Sequence, residues 1–400
     1  MNSESVRLKG IAQQFAPAKV SAIAPLGNGN INSTYLVTLE ACDRTSQRPS
    51  EQPATRFVLQ RINAQVFPQP ELVIQNMAAL CKHLQSSEKK LAHRWETPQI
   101  MQDQSGSHFW RDEEGEYWRA ISFIEDAYVR EKVEDILHAK EVGYGLATFH
   151  SLISTLSADK LADTLPGFHV TPRYLADYER VLESRSAYLA TDKTDSHSPL
   201  SKDATQALFE SLDTEEADRA NFCLRFVEER KTWAHVLENA KESGRLRLRP
   251  IHGDPKVNNI LLGKNGKAIS LIDLDTLKPG LIHYDIGDCL RSGCNPLGEE
   301  TEDWQNVTFD TKLAEAMLQG YLSLAGEFLT EQDYDYLYDA IRLIAFELGL
   351  RFFTDYLAGN VYFKVKHPTH NLTRALVQFR LTESIEQQAD TLNAIIQALR

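Results

Sequence analysis

The chain has few of the features that mark secreted, membrane-spanning or nucleic-acid-binding proteins. Its five cysteines are scattered over 400 residues without a Cys-x-x-Cys pair, which argues against a disulfide framework and against a zinc site. The sequence has no apolar run long enough to cross a membrane and no apolar N-terminal segment typical of a signal peptide. The formal net charge of −13 is unsuited to nucleic acid. We therefore expect a cytoplasmic protein whose partners include neither a membrane nor a nucleic acid.

One segment, His252-Gly253-Asp254-Pro255-Lys256-Val257-Asn258-Asn259, contains most of the reactive groups. It supplies a carboxylate at Asp254, an ammonium group at Lys256 and a carboxamide at Asn259. An apolar strand follows, then a glycine-rich tight turn, and a second apolar strand ends at Asp273. This hairpin is expected to bring Asp273 back beside Asn259.

These groups match the requirements of phosphoryl transfer. A base must orient the attacking hydroxyl, hard oxygen ligands must hold magnesium, and a cation must lie near the transferred phosphoryl oxygens. The alternative is a surface hairpin with polar ends and no catalytic role. Such a hairpin would not require all of these groups at this spacing. The sequence therefore predicts a magnesium-dependent phosphoryl-transfer site.

The two segments resemble those of the aminoglycoside phosphotransferase and choline kinase superfamily, the small-molecule branch of the protein-kinase-like fold. That superfamily has His-Gly-Asp, an Asn five residues later, and then Ile-Asp, as at Ile272-Asp273 here. The resemblance implies that Asp254 is the catalytic base, that Asn259 and Asp273 bind Mg²⁺, and that ATP is the phosphoryl donor. Lys256 resembles the catalytic-loop lysine that contacts the γ-phosphate in protein kinases.

The length and the strand and helix patterns agree with a bilobal, α+β, protein-kinase-like fold. We predict a β-rich N-terminal nucleotide-binding lobe over residues 1–124 and a mainly helical catalytic and substrate-binding lobe over residues 128–400. The hinge is expected at about residues 123–127, where Phe123 and Glu125 resemble the positions that present backbone groups to adenine. An ordinary strand end is the alternative for this segment.

Two further segments are candidates for nucleotide contacts. Gly27 and Gly29 resemble a glycine-rich phosphate loop, with Asn32 where a third glycine would stand. On a later strand Gln60 occupies the position at which protein kinases have a lysine, and Arg61 is its neighbour. Either Gln60 binds phosphate as a neutral group, or a register shift turns Arg61 inward; a surface position for Arg61 is the remaining alternative.

Other side chains are predicted to support the catalytic loop. Asp285, Asp288 and Arg291 recur at three-residue intervals and are expected to share one helix face. We interpret this face as a brace for the loop, with His150 as a structural histidine packed behind it.

Several segments resemble one subgroup, the N-acetylhexosamine 1-kinases and their relatives; they are residues 29–35, 59–63, 167–169, 272–276, 279–280 and 361–363. The resemblance implies an ATP- and Mg²⁺-dependent kinase that phosphorylates the anomeric hydroxyl of an amino sugar. Asn30, Asn32 and Arg351 are the candidate substrate contacts, because sugar hydroxyls need convergent donors and acceptors. The alternatives are a kinase for another alcohol, such as an aminoglycoside, choline or homoserine, and a pseudokinase that binds nucleotide as a partner module. The oligomeric state is left open.

Overall fold

The computed structural model describes residues 3–27, 31–40, 56–86, 89, 91–192 and 214–400, with the backbone alone at residue 3 and over 186–192. Gly29 and Asn30, two of the predicted site residues, lie outside these ranges.

The N-terminal part is built on a five-stranded antiparallel sheet with the order β1-β2-β3-β5-β4. Its strands are β1 (Val20–Pro25), β2 (Ser33–Leu39), β3 (Arg56–Ile62), β4 (Trp110–Arg111) and β5 (Tyr117–Ser122). Helix α1 (Ser3–Phe15) covers one face of the sheet, where Phe57, Leu59 and Trp118 are buried in a shared apolar cluster. Helix α2 (Pro70–Gln85) begins with Pro70 in its first turn, a position where the missing N–H of proline costs no helical hydrogen bond.

The alternation of side chains along β3 determines which residues face the second lobe. Thr34, Gln60 and Arg119 are register partners across β2, β3 and β5, so they form one row. The residues at the next register position, which include Arg61, point to the opposite face because successive strand residues alternate.

Short strands lie where the chain enters the second lobe. β6 (Ala127–Tyr128) pairs with β8 (Ile260–Gly263), which pairs in turn with β9 (Ala268–Leu271), all antiparallel. A separate ribbon joins β7 (Arg249–Ile251) to β10 (Lys278–Gly280). The segment between β7 and β8 is the predicted catalytic loop, and the segment between β9 and β10 contains Asp273.

The rest of the second lobe is helical: α3 (Ile136–Ile153), α4 (Thr171–Asp192), α5 (Thr214–Arg230), α6 (Val236–Glu242), α7 (Ile282–Gly293), α8 (Thr311–Ala325), α9 (Glu331–Asp335), α10 (Leu337–Leu357), α11 (His370–Gln387) and α12 (Ala389–Leu399). One apolar core lies among α3, α7 and α8, and another among α5, α10 and α11. Of the described helices, each is too short or too polar to cross a membrane. The predicted division into a sheet-rich part followed by a helical part is thus what the chain adopts.

Candidate active site

The loop after β7 makes a sharp turn that requires glycine at position 253. Gly253 has φ +88°, a left-handed conformation that side chains disfavour. A Cβ atom there would also lie 2.6 Å from the backbone oxygen of Thr276. The loop and the segment after Asp273 therefore pack backbone to backbone, which brings the two predicted halves of the site together.

Asp285 on α7 holds the loop from behind. Its carboxylate accepts hydrogen bonds from the backbone N–H groups of His252 at 2.7 Å and Gly253 at 2.8 Å. It also accepts one from Nε2 of His150 at 2.8 Å, and Nδ1 of His150 lies 2.8 Å from the hydroxyl of Tyr321. Burial alone would raise the pKa of Asp285, but these hydrogen bonds and the nearby histidines hold that pKa below its usual value. Asp285 and His150 thus brace the loop as predicted.

Two more histidines position the same loop. His252 accepts the N–H of Asp254 with Nδ1 and donates from Nε2 to the oxygen of Ile272, so it is the neutral tautomer, and burial lowers its pKa. His169 lies between the oxygen of Gly253 at 2.8 Å and a carboxylate oxygen of Glu347 at 2.9 Å. Both of these partners are acceptors, so both ring nitrogens of His169 donate. Burial opposes its charge, but the carboxylate of Glu347 raises its pKa. Glu347 could not be predicted from the sequence, because it lies 178 positions from His169 and no local pattern relates the two residues.

Asp254 lies at the end of this braced loop, and its side chain is 28% exposed. Its Oδ2 atom lies 2.9 Å from Nζ of Lys256. Crowding by protein atoms raises the pKa of Asp254, and the charge of Lys256 opposes this rise. The pKa of Lys256 is raised by the carboxylate of Asp254. The loop therefore presents an accessible carboxylate beside a firmly protonated ammonium group.

The hairpin formed by β8 and β9 brings Asn259 and Asp273 to the same end. Asn259 accepts the N–H of Ile272 with its backbone oxygen at 2.9 Å. Its side-chain Nδ2 donates to the oxygen of Asp254 at 2.7 Å, which leaves Oδ1 as the atom for a cation. Asp273 follows directly in a left-handed conformation, with φ 65° and ψ 55°.

The electrostatics of Asp273 fit a divalent cation. Surrounding protein atoms, then the negative charges of Asp275 and Asp254, raise the pKa of Asp273, although its side chain opens on the cleft. A cation offsets the repulsion among these carboxylates, and Mg²⁺ prefers one or two carboxylates together with phosphate and water oxygens. The described residues contain no metal-binding group of three or more His, Cys, Asp or Glu side chains. One carboxamide and one carboxylate therefore suit magnesium better than they suit a transition metal.

Gln60 and Arg61, the predicted phosphate contacts on β3, form hydrogen bonds to other side chains of the protein. Nε2 of Gln60 donates to Oγ1 of Thr34 at 3.2 Å, and its Oε1 accepts from Nη2 of Arg119 at 2.8 Å. The register shift that would turn Arg61 inward does not occur along β3. Arg61 instead donates to Oγ of Ser33 at 3.2 Å. Gly27 directly precedes the undescribed part of the predicted phosphate loop and has φ +71°.

Asn32 also differs from its expected use. Its Nδ2 donates to the carboxylate of Asp275, and its Oδ1 accepts the N–H of Asn63 at 2.9 Å. Asp275 is paired on its other oxygen with Arg119. The side chain of Asn32 is therefore used to join the two lobes, and the structure gives no support to the predicted substrate contact.

The segment predicted to be the hinge makes polar contacts on one side and borders an apolar cluster. Glu125 pairs with Arg56, whose guanidinium lies 4.6 Å from the centroid of the Phe123 ring. The backbone oxygen of Glu125 accepts from Nη2 of Arg94 at 2.7 Å. Next to this segment an apolar cluster joins the hinge to the hairpin; its members are Ile124, Leu261 and Ile269, with Ala127 and Ile272 packed against them.

Arg351 on α10 lies on the helical side of the cleft among aromatic rings. Its guanidinium carbon is 5.2 Å from the ring centroid of Phe168, 5.0 Å from that of Tyr174 and 5.4 Å from that of Phe363. Burial opposes its charge, but Tyr174, Glu347, Tyr362 and Asp254 together raise its pKa. Arg351 lies one helical turn after Glu347, whose carboxylate contacts His169 beside the catalytic loop.

Asp355, one helical turn after Arg351, fixes the loop that follows α10. Its carboxylate accepts the backbone N–H groups of Val361 at 2.9 Å, Tyr362 at 2.8 Å and Phe363 at 2.9 Å, and also Nδ2 of Asn371. The side chains of Val361 and Tyr362 nevertheless remain exposed. The loop thus has a rigid backbone and outward-facing side chains.

Comparison with known families decides the class of protein. The model of the phosphotransferase enzyme family matches residues 22–335, which include the sheet, the catalytic loop and the Asp273 turn. The chain belongs to this phosphotransferase family. It is therefore an enzyme that transfers a phosphoryl group to an alcohol acceptor.

Solved structures establish the fold of this phosphotransferase. Choline kinase from Cryptosporidium parvum superposes with a TM-score of 0.56 at 14% identity, covering 98% of this chain and 97% of that one. A microcompartment-associated aminopropanol kinase gives 0.53 at 14% identity, covering 96% and 98%. An aminoglycoside phosphotransferase from Alicyclobacillus acidocaldarius gives 0.51 at 18% identity, covering 98% and 94%. The predicted bilobal, α+β, kinase-like fold is confirmed.

Proposed function

We propose that this phosphotransferase is an ATP- and Mg²⁺-dependent kinase for the anomeric hydroxyl of an N-acetylhexosamine. The observation that carries the proposal is the convergence of Asp254, Lys256, Asn259 and Asp273 at one end of the β8–β9 hairpin. The pseudokinase alternative is disfavoured because this set is complete.

The proposed nucleotide site lies between a lobe of residues 1–124 and a lobe of residues 128–400. The adenine would rest on the apolar cluster around Ile124 and Leu261, close to the hinge predicted at residues 123–127. Asn259, through Oδ1, and Asp273 would hold Mg²⁺, which when bound neutralises charge on the phosphate oxygens. Gly27 remains a candidate for the phosphate loop because its left-handed backbone allows close approach of a ligand.

The protein's own groups divide the chemistry between them. Asp254 receives the proton of the acceptor hydroxyl or orients that hydroxyl for attack. Lys256 favours the ionised form of Asp254 and offsets the charge that develops on the transferred phosphoryl group. The hydrogen bonds from the loop backbone to Asp285 hold Asp254 in place, so little reorganisation is required when the acceptor arrives.

Arg351 is the proposed contact to the sugar. Its guanidinium lies among aromatic rings on the same side of the cleft as Asp254, where it provides donors for hydroxyl or acetamide oxygens. Flat apolar surface beside a few fixed donors is the usual composition of a small-ligand site. The same cation argues against choline, because a fixed positive charge within an aromatic wall repels a quaternary ammonium group.

The acceptor can be identified by measuring ADP release with a panel of alcohols at equal concentration. The panel contains N-acetylglucosamine, N-acetylgalactosamine, their non-acetylated hexosamines, an aminoglycoside, choline and homoserine. We expect turnover with the N-acetylhexosamines and a product that has lost its reducing end. Turnover confined to aminoglycosides, choline or homoserine would refute the sugar assignment.

The role of Asp254 is tested by Asp254→Asn, with Asp177→Asn, a surface carboxylate, as the matched control. Because general bases typically contribute about 10²- to 10⁴-fold, kcat should fall by about that factor. Affinity for Mg·ADP should stay close to that of the wild type. Wild-type turnover in Asp254→Asn would show that another group acts as the base.

A further inference from the structure

Arg119 is an unusual residue for its place in the fold. It lies in the middle of β5, between Trp118 and Ala120 in the sequence, and is only 1% exposed. A guanidinium group is strongly hydrated in water, so its burial is unfavourable unless charged and polar partners surround it. The partners of Arg119 therefore indicate why the chain keeps a charge there.

The first partner is Gln60, the residue at the position of the missing lysine. Nε and Nη2 of Arg119 both donate to Oε1 of Gln60, at 3.1 Å and 2.8 Å. Gln60 and Arg119 are direct register partners on neighbouring strands. Position 60 of β3 has no positive charge, but Arg119 supplies one on the neighbouring strand in the same row of side chains.

The second partner lies in the other lobe. Nη2 of Arg119 forms an ion pair with the carboxylate of Asp275, which is also buried. The other oxygen of this carboxylate accepts Nδ2 of Asn32, again from the N-terminal lobe. Arg119 on the sheet and Asn32, which directly precedes β2, therefore hold a single carboxylate that follows Asp273 by two positions.

Hydrogen bonds from two other parts of the chain also hold the turn that contains Asp275. Oγ1 of Thr276 donates to the oxygen of His252 at 2.7 Å, and Nδ2 of Asn76 on α2 donates to the oxygen of Leu277 at 2.8 Å. Asp273 begins this turn in a left-handed conformation that residues with a side chain adopt at a cost. Such a conformation persists when the surrounding contacts fix it.

We propose that Arg119 is a positioning residue that holds Asp275 from β5 and so orients Asp273 toward the metal–nucleotide complex. This inference rests on the proposed use of Mg²⁺ and nucleotide, and it is independent of which alcohol is the acceptor. The ion pair between Arg119 and Asp275 would couple the sheet to the turn that contains Asp273, so a movement of the sheet would also move Asp273.

A simpler explanation is that Arg119 serves only to neutralise Asp275 and stabilise the fold. The two explanations differ for a double variant. Arg119→Met alone leaves a buried carboxylate unpaired, so it lowers both stability and Mg·ADP affinity. Arg119→Met combined with Asp275→Asn removes both charges and so restores stability. The contact between Arg119 on the sheet and residue 275 in the turn remains absent in this double variant.

The experiment measures the dissociation constant for Mg·ADP and the urea midpoint of unfolding for Arg119→Met, Arg119→Lys, Asp275→Asn and the double variant. Arg111→Met, an exposed arginine on the same sheet, is the matched control. For the double variant we expect a midpoint near that of the wild type and a Mg·ADP affinity at least roughly tenfold weaker, about 1.4 kcal/mol. Arg119→Lys, which keeps the charge without the planar fork, should bind Mg·ADP with intermediate affinity.

Wild-type Mg·ADP affinity in the double variant would overturn the proposal, as would equal weakening in Arg111→Met. If Arg119→Met alone does not fold, the double variant and Arg119→Lys still decide the question. Failure of the proposed function gives a different result, because the wild-type protein itself would then not bind Mg·ADP.

Discussion

Replacing Asp285 with Asn tests how far the catalytic loop depends on one buried carboxylate. Asp285 is fully buried and accepts two hydrogen bonds on Oδ2, from His252 and His150, and one on Oδ1, from Gly253. A carboxamide has one acceptor oxygen, so in either orientation its NH₂ group faces at least one N–H donor. The substitution therefore changes no volume but removes a charge and at least one hydrogen bond.

The expected loss of stability follows from these contacts. A hydrogen bond to a charged group contributes about 1.5–3 kcal/mol and a neutral one about 0.5–1.5 kcal/mol. Losing one charged bond and reducing two others to neutral bonds sums to about 3.5–6 kcal/mol, which overlaps the usual effect of about 3–5 kcal/mol for breaking a buried charge pair. A displacement of Asp254 by about 1 Å should in addition lower kcat by about 10²-fold.

The assay combines urea unfolding with ADP-release kinetics across pH, with Asp339→Asn as the matched control. Asp339 forms a half-buried ion pair with Arg342 at 2.9 Å and accepts far fewer hydrogen bonds than Asp285, so its replacement should cost about 1 kcal/mol or less. The pKa of Asp285 is depressed in the folded state. Its contribution is thus complete above the unfolded pKa of about 3.9 and is lost as the pH falls through the lower folded pKa. The stability gap between wild type and Asp285→Asn should be constant near neutrality and close in acid.

Two results would refute this reasoning. The first is an Asp285→Asn protein with wild-type stability and kcat at pH about 7, where the charge of an aspartate is fully present. The second is a stability gap that persists unchanged below the folded pKa of Asp285, since the carboxylate would then not be its source.

Two further substitutions test neighbouring parts of the site. Gly253→Ala should lower stability by roughly 1–3 kcal/mol and reduce kcat, because its Cβ atom would press on Thr276 in a left-handed turn; unchanged thermal unfolding would contradict this. Glu347→Gln should destabilise the protein most below pH about 6.5, because a raised His169 pKa contributes stability there that fades as pH rises through the folded pKa. If the difference in free energy of unfolding between the wild type and Glu347→Gln instead grew at alkaline pH, the pair would not act through the charge of His169.

Parts of the candidate site could be predicted from the sequence where the residues belong to one hairpin or one helix. Asn259 and Asp273 belong to one hairpin whose apolar strands and glycine-rich turn are legible in the chain, so their convergence could be predicted. Asp285 could be predicted because a three-residue spacing places side chains on one helix face.

The rest of the site depends on contacts between distant parts of the chain. Arg119 and Asp275 are 156 positions apart, and His169 and Glu347 are 178 positions apart. No periodicity relates such positions. One signal for Arg119 was nevertheless present, because a charged residue within the apolar strand around Trp118 and Ala120 has to find a buried partner.

The expectations for Gln60, Arg61 and Asn32 show a related limit. The sequence located the strand and the missing lysine, but the alternation of faces across three strands decides which side chain points to the cleft. Because of that alternation, Gln60 lies beside the guanidinium of Arg119 on β5. The sequence of β3 alone does not contain this information.

The loop after α10 has a consequence for changing what this enzyme accepts. A single carboxylate, Asp355, fixes its backbone, while the side chains of Val361 and Tyr362 take no part in that restraint. Saturation libraries at these two positions can therefore vary the shape and polarity of the surface near Arg351, the proposed sugar contact, without remodelling the loop. Natural divergence of acceptor range could follow the same route, by substitutions that leave folding untouched.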